Sequence, residues 1–341
     1  MQTRAEEVIA VSDPSDVSAA RRQVKAMSEA LSFDEEVCEE LAIVASELAS
    51  NLVRHADKGT LTLTPVVDEP RSGLRIVSLD DGPGIRDVDL AMTDGFSTDD
   101  SLGYGLGTVN RLMDELDIST QGGPEHGTRI ICTRWLRPPS APVTSCPLAF
   151  GVATRAYPGL PVNGDAFVIK RWGQQALVAV IDGLGHGQHA HRASQTAREY
   201  VERHFDQSLM HIFRGTGRTC RSTRGVVMAL ARFDWQQETL TFGSIGDIEA
   251  QVIGPPQPMR FMIRRGIVGG RAPDPVITEH HWEPDYVLVL HSDGLKTRWR
   301  WEDFAHLADQ PAAVVAHEML RALGKDDDDA TVIVVKGAED G

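Results

Sequence analysis

Four aspartates in the second half of the chain stand beside strand-forming apolar runs. That placement lets carboxylates from distant chain positions meet at one edge of a sheet. Gly164-Asp165 opens such a run, and Asp182-Gly183-Leu184-Gly185-His186-Gly187 follows the apolar stretch 176–181. Ser292-Asp293-Gly294 follows 286–291, and Asp328-Asp329-Ala330-Thr331 leads into 330–335. Hard oxygen ligands of this kind suit Mg²⁺ or Mn²⁺ and not zinc. Two such ions about 3.5–4 Å apart can activate a bridging water and neutralise a phosphoryl group. A single Asp-Gly is ordinarily a hairpin turn. Four aspartates, each next to a β-rich run, are harder to explain as turns alone. Asp326 and Asp327 leave the register of the last motif open by a residue. His186 has two readings, a group near a phosphate and a turn residue. Asp247, in Gly246-Asp247-Ile248, reads first as structural, and no arginine stands out as a phosphate ligand.

The first half offers a different chemistry. Glu47 and Asn51, four apart on one predicted helix, share a face. An amide oxygen can ligate Mg²⁺ and a neighbouring carboxylate can accept a proton. Asp80-Asp81-Gly82-Pro83-Gly84 ends an apolar strand, where a carboxylate can accept from an adenine amino group and glycines let backbone pass a flat base. An ordinary turn would use the same residues. Gly103-Tyr104-Gly105-Leu106-Gly107 opens a helix, an anion site by virtue of free N–H groups and the positive dipole end. No βαβ unit surrounds it and no Gly-Lys-Ser/Thr follows, so it is neither a dinucleotide fingerprint nor a Walker loop. Gly127-Thr128 begins the last strand and can bring a hydroxyl near the base.

Periodicity supplies the elements that must hold these groups. The first half is expected to run strand (about 4–11), helix (16–31), helix (34–56) with Asp34 as N-cap, and strands (60–67, 73–80). A Gly-rich loop with a short helix, a helix (104–115) and two strands follow. Short connections imply an antiparallel or mixed sheet with helices on one face. The second half predicts strands at about 165–171, 176–182, 226–234, 239–245, 248–253, 286–291 and 330–335, with helices at 188–207 and 311–323. That pattern implies a two-sheet sandwich flanked by helices. Between the halves, 136–147 holds four prolines and few large apolar residues. The expected organisation is therefore a domain at 1–136, a linker at 137–147 and a domain at 148–341, α/β (α+β) in class.

Bulk properties narrow the function. The 341 residues are 41% hydrophobic and 24% charged, enough for two cores. A net charge of −15 disfavours a nucleic-acid partner. Cys38, Cys132, Cys146 and Cys220 form no CxxC pair, so a zinc or redox motif is not expected and a reducing cytoplasm fits. Residues 1–7 carry charges of both signs and no apolar run, and no stretch nears the length of a membrane span.

Taken in order, Ser46-Glu47-Leu48-Ala49-Ser50-Asn51, Asp80 to Gly84, Asp94-Gly95-Phe96-Ser97-Thr98 and Gly105-Leu106-Gly107 followed by Arg111 to Glu115 resemble the GHKL ATPases over about 5–135. More narrowly they resemble the anti-sigma Ser/Thr kinases of the RsbW/RsbT group. The resemblance implies the Bergerat α/β sandwich. It implies ATP with Mg²⁺ held by Asn51, adenine bound at Asp80, and Glu47 as general base. Gly82, Gly84, Gly103, Gly105, Leu106, Gly107 and Thr128 would line the nucleotide. His55 is read as flanking that site and not as a phosphorylated residue. Over about 147–336, DGxGHG, SDG and DDxT together resemble type-2C, metal-dependent phosphatases of the SpoIIE/RsbX branch. That implies two Mn²⁺ or Mg²⁺ held by Asp165, Asp182, the Gly183 carbonyl, Asp293 and Asp328. Joined in one chain, the two resemblances imply a regulator of a partner-switching or stressosome-type pathway. One half would phosphorylate a STAS-domain partner and the other would remove the phosphate. Two other readings of the first half stay open: an ATP-dependent clamp on a partner, and a nucleotide sensor for the phosphatase. Pairing with itself or through partners is a further family expectation.

Overall fold

A computed structural model describes residues 6–56, 58–68, 71–85, 88, 105–121, 127–137, 146–270 and 274–338. The chain divides into two compact units, Met1–Pro138 and Pro139–Gly341. The expected linker 137–147 and the segment 94–104 fall mostly outside the described residues.

In the first unit, α1 (Pro14–Ala30) starts where the Asp13 side chain takes the Ser15 N–H and the Asp16 side chain takes the Asp13 N–H. Pro14 at the first position is pre-set for helix. α2 (Glu35–His55) buries Cys38, Leu41, Ala42, Ala45, Leu48, Ala49 and Leu52, a stripe at helical spacing. Asp34 occupies its N-cap position but makes no side-chain capping bond.

Five strands form one antiparallel sheet in the order β1-β2-β3-β5-β4. They are β1 (Glu7–Val11), β2 (Gly59–Asp68), β3 (Arg71–Asp80), β4 (Glu115–Gln121) and β5 (Gly127–Trp135). Alternate residues Leu61, Leu63, Leu74, Ile76, Ile130 and Cys132 pack on the helical stripe, and α3 (Gly105–Leu112) adds Leu106 and Val109. Buried charges tie the end of β5 to the helices. Arg134 bonds Glu40 at 2.9 Å and Asp114 at 3.4 Å, and Asp114 takes the Trp135 N–H at 2.8 Å.

The second unit is a sandwich. One sheet runs β12-β10-β9-β8-β7, with β13 on β10, and the other runs β11-β14-β15-β6. The strands are β6 (Leu148–Arg155), β7 (Asp165–Trp172), β8 (Gln175–Gly183), β9 (Val226–Asp234), β10 (Thr239–Ile245), β11 (Glu249–Ile253), β12 (Ile263–Arg264), β13 (Thr278–His281), β14 (Val287–His291) and β15 (Ala330–Gly337). Val178, Val180, Phe233 and Phe242 from the first sheet meet Leu288, Leu290, Ile333 and Val335 from the second. Helices α4 (Gln188–Arg203) and α5 (Leu209–Thr219) cover the outer face of the first sheet, and α6 (Ala312–Leu323) covers that of the second. Strands such as β8 and β15 are therefore buried on both faces, which explains their continuous apolar runs.

The structure corrects the local reading in three places. The helix expected over 188–207 ends at Arg203, and a second helix starts after Ser208, whose hydroxyl caps the His211 N–H. Gly215 and Gly217 in that second helix lower its propensity, yet a side chain at 215 would collide with the Tyr200 ring. Strand β6 was not expected. It is broken in pattern by Gly151, which lets the α6 backbone at Ala312 approach. Short β12 and β13 also lacked a signal. Among the described residues no helix is long and apolar enough to cross a membrane. All four cysteines are free thiols.

Candidate functional sites

In the first unit Glu47 and Asn51 sit half-buried on α2, off its buried stripe. α3 packs against that face. A β-carbon placed on Gly105 would lie 3.8 Å from Asn51 Oδ1 and 3.9 Å from Glu47 Oε2, so the first residue of α3 faces both polar groups. Leu106 belongs to the core, which leaves its backbone rather than its side chain for a ligand. Gly107 is buried beside it.

Asp80 ends β3 directly opposite Thr128 of β5. Its Oδ1 accepts from the Gly82 N–H at 2.9 Å and from the Thr128 N–H at 3.1 Å. These bonds fix the carboxylate and leave Oδ2 for another donor. Gly82 presses on the end of α2, where a β-carbon would come within 2.9 Å of Ala56 Cβ. Gly84 has φ +75°, a conformation glycine adopts at little cost. His55 is exposed at the end of α2. Gly103 lies outside the described residues. The cradle fits an adenine nucleotide on two counts: a held carboxylate with a spare oxygen, and a Glu–Asn pair facing a helix start.

In the second unit Asp165 and Asp182 are direct partners across β7 and β8. Asp293 follows β14 and Asp328 precedes β15, so the other sheet supplies acids at the same end. Burial raises Asp182 to about 10, with the charges of Asp165, Asp293, Asp328 and Asp247 adding to it. Burial likewise lifts Asp165 to about 7. Burial and the Asp247 charge raise Asp293, whose side chain reaches both Asp182 and Asp328. Asp328 is raised by burial and by Asp293.

Asp329 is tethered from outside the cluster but still borders it: its Oδ1 accepts the Tyr157 N–H at 2.8 Å, while its Oδ2 lies beside Gly164 and its charge bears on Asp165. Gly183 lies in β8 with its N–H on Gly164 O at 3.2 Å. A side chain there would run into the Ala190 carbonyl, and one at Gly294 into the Asp329 carbonyl. Both glycines permit the close backbone crossings that bring the acids together. His186 stacks on Tyr157, ring centroids 4.9 Å apart.

Among the described residues no three acidic, imidazole or thiol side chains are already gathered into a metal cage. The carboxyl groups instead lie close enough that Asp293 hydrogen-bonds with Asp182 and Asp328, and the charges of four aspartates bear on Asp182. Asp165 Oδ1 and Asp329 Oδ2 are buried with no hydrogen-bond partner among the described residues. An oxygen-rich, anionic cluster with an orphaned buried carboxylate oxygen fits hard divalent cations. Asp247, in the turn between β10 and β11, joins this cluster, although its sequence context suggested only a structural role.

A polar network holds the acids in place. The Ser292 hydroxyl donates to Asp165 Oδ2 at 2.7 Å and accepts the Thr331 N–H at 3.0 Å. Asn163 Oδ1 takes the Asp165 N–H at 2.9 Å, and His191 Nδ1 bonds the Asn163 carbonyl at 2.8 Å. The motifs SDG and DDxT are thus joined through Ser292 and Thr331. Ser292→Ala should strand two buried polar groups, at a cost of about 1–3 kcal/mol in urea unfolding. The divalent-cation midpoint for activity should rise about 10–100-fold, as expected for a lost outer partner of a ligand. Unchanged stability and an unchanged midpoint would show that the hydroxyl positions nothing.

Comparisons with known proteins follow the same division. Residues 10–133 match the family model of the histidine kinase-like ATPase domain, and residues 173–337 match that of stage II sporulation protein E. The serine/threonine-protein kinase RsbT of Bacillus subtilis is 39% identical over 122 residues, 36% of this chain and 90% of the relative. The phosphoserine phosphatase RsbX of the same organism is 22% identical over 138 residues, 40% of this chain and 69% of the relative. A solved chain from work on the bacterial stressosome, a modular system adapted to control secondary messenger signalling, is 30% identical. It superposes with a TM-score of 0.53 over 55% of this chain and 99% of its own. RsbX in complex with magnesium shares the fold, with a TM-score of 0.51 over 56% of this chain and 96% of its own.

Proposed function

Because the chain belongs to the RsbT-type kinase family through its GHKL first half and carries a SpoIIE-type, type-2C phosphatase domain as its second, we propose that it sets the phosphorylation state of one partner protein from both directions. The partner is a STAS-domain protein of a partner-switching pathway, phosphorylated on serine or threonine. The observation that supports this most is the coexistence of two groups of candidate site residues in one polypeptide. These are the Asp80–Thr128 and Glu47–Asn51 cradle, and the Asp165, Asp182, Asp293 and Asp328 cluster.

In the first unit, Asp80 Oδ2 accepts from the adenine amino group while the Gly82 and Thr128 N–H groups hold the carboxylate still. Asn51 would offer its amide oxygen to the Mg²⁺ that accompanies ATP, and Glu47 would take the proton of the acceptor hydroxyl as the γ-phosphoryl group passes to that oxygen and ADP leaves. The start of α3 lies beside the phosphates. In the second unit, Asp182, on which the charges of Asp165, Asp293 and Asp328 bear, would be a central ligand of the divalent cations. Asp165, Asp293, Asp328 and the Gly183 carbonyl complete the set. When bound, divalent cations supply an activated water and neutralise the phosphoryl oxygens. Burial of Asp165 and Asp182 keeps competing solvent from the inner ligands. The test is a time course with γ-labelled ATP, Mn²⁺ or Mg²⁺ and a cognate STAS protein. Label should appear on the partner and then leave as inorganic phosphate. Absence of both transfer and hydrolysis would defeat the proposal.

A further inference from the structure

The chain carries a net charge of −15, yet the surface beside its acidic cluster is basic and apolar. The Arg224 guanidinium lies against the DGLGHG turn: a β-carbon on Gly185 would sit 2.9 Å from its Nη1. The Leu184 N–H donates to the Gly225 carbonyl at 3.2 Å, and Val226 and Val268 exchange hydrogen bonds of 2.9 and 2.8 Å. Gly225 packs directly on Ile267. At its other end the same segment forms β12, which pairs with the end of β10. The Gly246 N–H donates to the Arg264 carbonyl at 2.8 Å, one residue before Asp247. The segment 262–268 is therefore anchored at one end beside Asp247 and at the other to Val226, which pairs with Gly183 next to Asp182.

Its side chains from 262 to 267 face outward, and Val268 is buried. Met262 is 57% exposed, Ile263 43% and Ile267 36%. Arg224, Arg264 and Arg265 are exposed, and none of them forms an ion pair among the described residues. Exposed apolar side chains interleaved with arginines are what protein-binding surfaces use. The charge sign, opposite to that of the chain as a whole, selects an anionic occupant.

We infer that this surface docks the acidic flank of a phosphoprotein substrate, a segment carrying Asp or Glu and apolar side chains next to its phosphorylated residue. The inference rests on reading the second unit as a phosphatase. Arg224, which lies against the DGLGHG turn, takes the residue adjoining the phosphate. Arg264 and Arg265 take acids further along, and Ile263 and Ile267 take the apolar side chains. Substrate choice then resides in a strip outside the metal ligands.

The test uses the full chain and fluorescent phosphoserine peptides with acidic-apolar, neutral or basic flanks, read by equilibrium anisotropy. The acidic peptide should bind the wild type about tenfold tighter than the neutral one, and R264A/R265A should erase that margin. R264E/R265E should prefer the basic peptide. Turnover of p-nitrophenyl phosphate, which is too small to reach the strip, should stay within about twofold in both variants. Equal wild-type binding of acidic and neutral peptides would overturn the inference. So would arginine-dependent binding of single-stranded DNA with none of the acidic peptide. Failure of the phosphatase reading looks different: metal-loaded wild type would hydrolyse neither peptides nor p-nitrophenyl phosphate, while anisotropy would still report docking.

Discussion

Asp182→Asn should lower phosphoserine hydrolysis by more than about a hundredfold, the upper end of what loss of an outer partner of a metal ligand costs. Asp182 is the residue on which the cluster converges: it pairs with Asp165 across β7 and β8, and the charges of Asp293, Asp328 and Asp247 all bear on it. Replacing its carboxyl with an amide keeps the shape and removes the group that would ionise to hold a cation. The metal-free variant should be about as stable as the wild type, because burial already keeps the Asp182 carboxyl protonated when no cation is bound. Stabilisation by Mn²⁺ or Mg²⁺ in thermal melts should vanish. Phosphoryl transfer by the first unit should persist, so a partner incubated with ATP should accumulate phosphate and keep it. Hydrolysis retained within tenfold, or an unchanged melting response to the cations, would remove Asp182 from the site.

The second large effect separates a kinase from a clamp. Glu47→Ala should cut phosphoryl transfer by about 10²–10⁴, the usual contribution of a positioned general base. ATP affinity should hardly change, since Glu47 faces the start of α3 and not the Asp80 end of the cradle. Asp80→Asn should do the reverse. It replaces an acceptor that the adenine amino group needs, so nucleotide binding fails before any chemistry. Transfer and ATP affinity measured on the two variants give a crossed pattern if the assignment holds. A Glu47→Ala protein that still phosphorylates its partner at the wild-type rate would contradict it. One that keeps its partner effect with no transfer in the wild type either would mark the first unit as a clamp.

Much of this was legible in residue order. Aspartates next to continuous apolar runs placed the acids at strand ends, and β8 and β15 have those runs because both their faces are buried. Glu47 and Asn51 were legible because α2 has a clean buried stripe that leaves both residues off it. What local pattern could not supply was tertiary. Asp247 joins the cluster only because β11 leaves the first sheet and pairs with β14 in the second. The tether of Asp329 to the Tyr157 N–H joins residues 172 apart in the chain, and the Asp329 charge still bears on Asp165. The role of Ser292 depends on Thr331 lying across from it, 39 residues away. Helix α5 hid behind two glycines whose reason is the Tyr200 ring packed against one of them.

Anomalous diffraction at the manganese edge, from crystals grown with MnCl₂, tests the arrangement most directly. Two peaks are expected among Asp165, Asp182, Asp293 and Asp328, with Asp329 Oδ1 still on the Tyr157 N–H. Manganese bound elsewhere, or these carboxylates without a peak between them, would contradict the account.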